Sequence, residues 1–156
     1  MTSSPVESFA VPRAAAGVLF FDQEGDVLLV VPSYKDYRDI PGGYIERGET
    51  PREAAVREVR EELGIAPPIG RLLVTDWAPH QNEGDKVLFV FDGGTLTPEQ
   101  LGAVRLDPAE VVAYEFHDVA QVHELTIARL ARRIVHGHEA RADGSTRYLE
   151  HGQLVG

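Results

Sequence analysis

The chain has 156 residues, a formal net charge of −10 and no cysteine. That length suits one domain around one core, and the missing thiols exclude both a disulfide framework and a thiolate metal site. The acidic excess argues against a broad nucleic-acid surface, where Lys and Arg on phosphates dominate affinity, but it leaves room for a small phosphate substrate whose charge is met by metal. The chain is therefore expected not to bind duplex DNA or long RNA at physiological salt; sub-micromolar, salt-sensitive binding to a random duplex would contradict this reading. No apolar run approaches the ~20 residues of a membrane span, and the opening Met-Thr-Ser-Ser-Pro-Val-Glu lacks the basic and apolar regions of a signal peptide. A soluble, cytoplasmic protein without a membrane partner is the expectation.

In chain order, residues 1–9 read as a mobile polar lead-in. Ala14–Phe21 and Val27–Val31 are apolar, β-leaning runs joined through Asp22-Gln23-Glu24-Gly25-Asp26, which spells a hairpin. Pro32 to Ile40 is a loop carrying Tyr34, Lys35, Tyr37 and Arg38. Rings and cations there can stack on a base or reach a phosphate, which makes Tyr34 and Arg38 candidates for substrate binding; the plainer reading is loop residues with partly buried stems.

The stretch from Asp39 to Ala66 organises the rest. Thr50 is a good N-cap, Pro51 suits the first helical position, and Glu53 completes a capping box. Gly64 can end the helix in a left-handed conformation, and Pro67-Pro68 cannot continue it, so the spacing predicts a helix from Pro51 to Leu63. Ala55, Val56, Val59 and Leu63 form its apolar stripe. Glu53 and Glu61 both lie at helical spacing from Arg57. Glu58 and Glu62 have no cation at helical spacing; their mutual repulsion costs about 0.2–0.5 kcal/mol, and acids in a last turn oppose the helix dipole. A hard divalent cation, Mg²⁺ or Mn²⁺, is the natural compensator, because it takes oxygen ligands and is shared with substrate phosphates. The alternative is a solvated acidic face. Gly42, Gly43 and Gly48 just ahead allow close approach of backbone to a ligand, which favours the metal.

Downstream, Arg71–Trp77 and Lys86–Phe91 read as strands around a polar loop, Ala78–Asp85, that holds His80, Glu83 and Asp85. An ordinary solvated hairpin tip is the simplest account of that loop. Gly93–Asp107 is loop-like, and Val111–Phe116 is a further strand. From Asp118, a plausible cap, Val122, Leu125, Leu130 and Ile134 predict a second helix, broken near Leu125 and ending at Gly137. His136 and His138, two apart, fall on different helix faces and make no metal pair. Thr146–Gly152 either adds an edge strand or covers the site. Strands interleaved with two main helices give an α/β sandwich.

The central stretch resembles the Nudix box, Gly-x5-Glu-x7-Arg-Glu-U-x-Glu-Glu-x-Gly-U with U a bulky aliphatic residue. It reads Gly43, Glu49, Arg57, Glu58, Val59, Glu61, Glu62, Gly64, Ile65, without departure. A chance match is on the order of one in 10⁹ per starting point. The resemblance implies a single Nudix domain over residues 1–156, with residues 140–156 as a C-terminal extension of undetermined role. Its fold would be an α/β/α sandwich with a mixed sheet and a catalytic loop-helix-loop. The activity it implies is metal-dependent hydrolysis of a nucleoside diphosphate linked to another moiety: a nucleoside triphosphate, a nucleotide sugar or an ADP-ribose type. Glu58, Glu61 and Glu62 would be the catalytic and metal residues, with Mg²⁺ or Mn²⁺ as cofactor. Arg57 and Glu49 would hold the loop against the helix, and Gly43 would join Arg38 and Tyr34 on the substrate side. The general base is left among Glu58, Glu61 and the Glu83–Asp85 loop, since relatives use either the box or such a loop. A small-molecule nucleotide is the implied partner, and a homodimer is compatible with the family. No Ser-Gln-Pro-Trp array and no tyrosine in Gln81–Glu83 marks a subfamily, and Pro79 is a weak pointer to ADP-ribose. The alternative is a catalytically silent Nudix domain that binds a nucleotide and regulates a partner; such domains commonly lose box glutamates, and this chain keeps them.

Overall fold

The structure, a computed structural model, describes residues 8–155, so the lead-in expected at residues 1–9 falls mostly outside the described residues. The strands are β1 (Arg13–Phe21), β2 (Val27–Pro32), β3 (Gly42–Tyr44), β4 (Leu72–Trp77), β5 (Lys86–Thr95), β6 (Val111–His117), β7 (Arg147–Glu150) and β8 (Gln153–Leu154). The helices are α1 (Pro51–Leu63), α2 (Pro98–Gly102) and α3 (Ala128–Asp143), with a 3-10 turn at Val119–Glu124.

The strands make a mixed sheet in the order β6-β2-β1-β5-β4-β7-β8, with β3 on β1. β1 runs parallel to β5, and β4 parallel to β7. Alternate side chains of β1 serve opposite layers, as a two-residue period requires. Val18 and Phe20 meet Ala54, Ala55, Val59 and Leu63 of α1, while Leu19 and Phe21 meet Leu130, Ala131, Ile134 and Ala140 of α3. A strand buried on both faces reads as a continuous apolar run, which is how β1 reads. The result is the expected α/β/α sandwich.

Helix α1 has the predicted bounds. The Thr50 hydroxyl accepts from the Glu53 amide at 3.1 Å, the Glu53 carboxylate accepts from the Thr50 amide at 2.9 Å, and Gly64 closes the helix at φ 70°. Its buried stripe differs slightly from the expectation: Ala54 and Glu62 are buried, and Val56 is only half-buried.

Four local readings are corrected. β5 continues past Phe91 to Thr95, because Gly93 lets the Phe20 ring approach to where a Cβ would stand 2.4 Å from it. The supposed loop Gly93–Asp107 also contains α2, with its own capping box between Thr97 and Gln100. Gly42–Tyr44 pairs with Ala15–Gly17 as β3, and at Gly42 a Cβ would stand 2.3 Å from the Ala16 carbonyl oxygen. Finally, α3 does not end at Gly137. That glycine lets the helix approach Leu19, whose Cδ1 would stand 2.6 Å from a Cβ, and Gly144 ends the helix at φ 76°.

The C-terminal segment adds edge strands. β7 pairs with β4, and the β7–β8 turn is anchored where the Gly152 amide donates to Asp76 Oδ1 at 3.0 Å. Asp76 Oδ2 accepts from Arg133 Nε of α3, so one fully buried carboxylate joins sheet, helix and C-terminal turn.

Candidate functional site

α1 and the loop before it form one wall of a cleft of about 590 Å³, and the start of α3 with the loop after β4 forms another. Gly42, Gly43, Glu58, Glu61 and Glu62 all line it. The loop is held to the helix by Arg57. Its Nε and Nη2 donate to the two Glu49 oxygens at 2.6 and 3.0 Å, and Nη2 also donates to the Tyr44 carbonyl at 3.1 Å. Hydrogen bonding from this guanidinium holds the Glu49 carboxyl below its usual range.

Arg57 Nη1 donates further to Glu58 Oε1 at 2.9 Å and to Glu61 Oε2 at 3.3 Å. This corrects the expectation that Glu58 has no partner. Adjacent residues do not face each other on a helix, but the side chain of Arg57 folds back toward the loop and passes Glu58 on the way. Burial, opposed by Arg57, pushes the Glu58 carboxyl above its usual range.

Glu62 matches the expectation of an uncompensated acid. It is 8% exposed, accepts only from the Gly42 amide at 3.3 Å, and has no cation partner among the described residues. Burial raises its pKa to about 9; the Gly42 amide opposes that rise, while Glu58, Asp39 and Glu110 reinforce it. A buried carboxylate with one weak donor is a costly group unless a cation joins it. Gly43 lets the Glu58 carboxylate pack against the loop backbone: a Cβ there would stand 2.5 Å from Glu58 Oε1. Glu58, Glu61 and Glu62 offer the oxygen donors that a hard divalent ion takes, but their carboxylate oxygens do not all lie within 4.8 Å of one another, as those of Asp22, Glu24 and Asp26 do.

The other expected residues are placed as follows. Tyr34 lines the cleft, 72% exposed, with Lys35 Nζ 5.3 Å from its ring. Arg38 is not among the lining residues; it is paired with Glu115 at 3.0 and 3.3 Å. Glu83 lines the cleft but is held by Lys86 at 2.6 Å and by the Tyr44 hydroxyl at 3.1 Å, bonds that depress its carboxyl. His80 also lines it, whereas Asp85 does not. Sequence reasoning missed Lys86, Glu110, Arg129 and Arg133. Only the i, i+4 spacing of Arg129 and Arg133 on one helix face could have suggested the last two. A separate acidic triad, Asp22, Glu24 and Asp26, has oxygens within 4.8 Å of one another. It belongs to the β1–β2 turn, where Asp22 Oδ1 already accepts from the amides of Glu24 and Asp26.

The NUDIX domain family model matches residues 11–137. Diphosphoinositol polyphosphate phosphohydrolase 2 of Mus musculus is 50% identical over 62 residues, which cover 39% of this chain and 35% of that protein. The match thus spans about a third of the relative's length. Among solved structures, the MutT protein from Methanosarcina mazei Go1 superposes with TM-score 0.70 at 22% identity, covering 86% of this chain and 99% of the other. The NUDIX domain of Shewanella oneidensis NrtR, complexed with ADP ribose, gives 0.68 at 19% identity, covering 89% and 94%. At these identities the superpositions speak for the fold alone. With the family model matched over most of its length and the box intact on α1, the chain belongs to the Nudix family.

Proposed function

We propose that the protein is a metal-dependent pyrophosphohydrolase that cleaves the phosphoanhydride of a nucleoside diphosphate linked to another moiety. The observation that carries this reading is Glu62, a buried carboxylate with no cation partner among the described residues, lining the same cleft as Glu58 and Glu61. Glu58, Glu61 and Glu62 would hold Mg²⁺ or Mn²⁺. Bound there, the ion supplies Lewis-acid polarisation of the diphosphate and lowers the pKa of a coordinated water. Arg57 fixes the directions of Glu58 and Glu61, and through Glu49 it fixes the glycine loop, so the carboxylates are set before substrate arrives. The attacking water must give up its proton to a nearby base. Glu83 is the poorest candidate, because Lys86 and Tyr44 depress its carboxyl; Glu58 and Glu61 are left. Tyr34, exposed and among the residues that line the cleft, would stack on a base.

Relatives bearing this domain point to the range of substrates to try. One is named for diphosphoinositol polyphosphates, and another is seen with ADP ribose. A panel of nucleoside triphosphates, nucleotide sugars, ADP-ribose and diphosphoinositol polyphosphates, incubated with Mg²⁺ and analysed for phosphate and phosphomonoester release, tests the proposal. Hydrolysis of at least one diphosphate, abolished by excess chelator, is expected. Turnover that survives the chelator would sink the metal assignment, and failure across the panel would favour the silent, nucleotide-binding reading.

A further inference from the structure

The cations of the cleft are not equally free. Lys35 is paired with Asp39 at 2.7 Å, Lys86 with Glu83 at 2.6 Å, and Arg133 with the buried Asp76. Arg129 has no carboxylate partner among the described residues. Its Nη1 donates to the carbonyls of Pro79 at 3.0 Å and Ala78 at 3.5 Å, and neither Nε nor Nη2 has a partner among the described residues. The backbone contacts fix the guanidinium in place without neutralising it, and they leave two donor nitrogens for something else.

His80 follows Pro79, whose carbonyl holds Arg129, and its ring also lies near Glu83. Its Nδ1 accepts from the Asn82 amide at 3.1 Å, which places the proton of the neutral ring on Nε2 and makes that nitrogen a donor. Both side chains line the cleft. The helix that carries Arg129 opens at Ile127, a cleft residue that gives its first amides no side-chain cap. Its positive end therefore adds to a field already set by Arg129. The cleft is thus electrically divided. The box glutamates enter from the α1 layer, and the unmatched cation enters from the α3 layer on the other face of the sheet.

We propose that Arg129 and His80 form an anion subsite that takes a phosphate of the substrate other than those of the cleaved link. The preferred substrate is then a diphosphate whose nucleoside or second moiety is itself phosphorylated, rather than one ending in a neutral sugar. This rests on the diphosphate reading above and adds a specificity-determining residue to it. A guanidinium held by carbonyls and facing an open cleft meets a phosphate with charge-assisted, two-pronged hydrogen bonds, whereas a sugar hydroxyl gains far less from it.

The test is a binding measurement with three non-hydrolysable, methylene-bridged nucleotide sugars in the presence of Mg²⁺. One is unphosphorylated outside the bridge, one carries an extra phosphate on the sugar, and one carries it on the nucleoside ribose. The native protein is expected to bind one phosphorylated compound about tenfold or more tightly than the neutral parent. Arg129→Gln should remove that advantage while changing the parent's affinity by less than about twofold, and Arg129→Lys should keep part of it. If Arg129→Gln weakens all three compounds equally, Arg129 only supports the Ala78–Pro79 carbonyls and the subsite is overturned. Equal binding of the three by the native protein overturns it as well. Failure of even the neutral parent to bind would instead bring down the diphosphate reading, and the subsite with it.

Discussion

Glu62→Gln is expected to lower hydrolysis by about two orders of magnitude or more while making the metal-free protein more stable. The amide keeps the side-chain shape and can still accept from the Gly42 amide, but it removes a buried charge. Relieving an unmatched buried carboxylate is worth on the order of 1–3 kcal/mol. The pH dependence has a definite sign. Folding raises the Glu62 pKa from 4.5 to about 9, so the fold favours the protonated form. The associated stability is fully present below pH 4.5 and is lost as pH rises towards about 9. Without metal, the gap between variant and native protein should therefore widen across that window. With Mg²⁺, the native protein should gain melting temperature and the variant should gain less, since stabilisation by a ligand follows its affinity. Melting curves at about pH 5 and about pH 8, with and without Mg²⁺, beside one rate measurement, decide the matter. A fully active Glu62→Gln protein that Mg²⁺ still stabilises would show that this side chain is no ligand.

Asp76→Ala is expected to be the most damaging substitution to the fold, at about 3–5 kcal/mol. It leaves Arg133, 6% exposed, as a buried charge without its partner, and it strips the Gly152 amide of its acceptor. The larger part of that cost comes from the stranded guanidinium rather than from the lost attraction. Replacing both residues, Asp76→Leu with Arg133→Met, should therefore recover most of it. Urea midpoints for the two proteins provide the check. A single variant costing less than about 1 kcal/mol, or a double variant no better than the single, would contradict this account.

What could be read from the sequence was what local chemistry decides. The caps of α1, the hairpin between β1 and β2, and the missing helical cation of Glu62 are each written within a few residues. What could not be read depends on contacts between distant segments. Gly137 looks like a helix terminator, and only its distance from Leu19 shows that it is a packing residue inside α3. Gly42 and Gly43 have poor strand propensity, and only β1 makes them a strand. Glu58 looked partnerless because helical spacing does not register an arginine that folds over a loop to reach Glu49. Arg38 looked free for substrate, but its partner Glu115 lies far along the chain on β6. Arg129 is silent for the same reason: the carbonyls that hold it belong to the loop after β4.

The same long-range wiring sets an order of events as the chain is synthesised. The box helix and the strands beneath it are made first, and β4 receives its neighbour β7 only after Arg147–Glu150 has been made. Asp76 cannot satisfy both its oxygens until Arg133 and then Gly152 have been translated. A chain still attached to the ribosome at residue 140 thus has all the box glutamates in place and an open edge along β4. Such an edge is a template for pairing with other chains, and non-local pairing of this kind closes slowly. The box glutamates are therefore made well before the strand that covers the β4 edge.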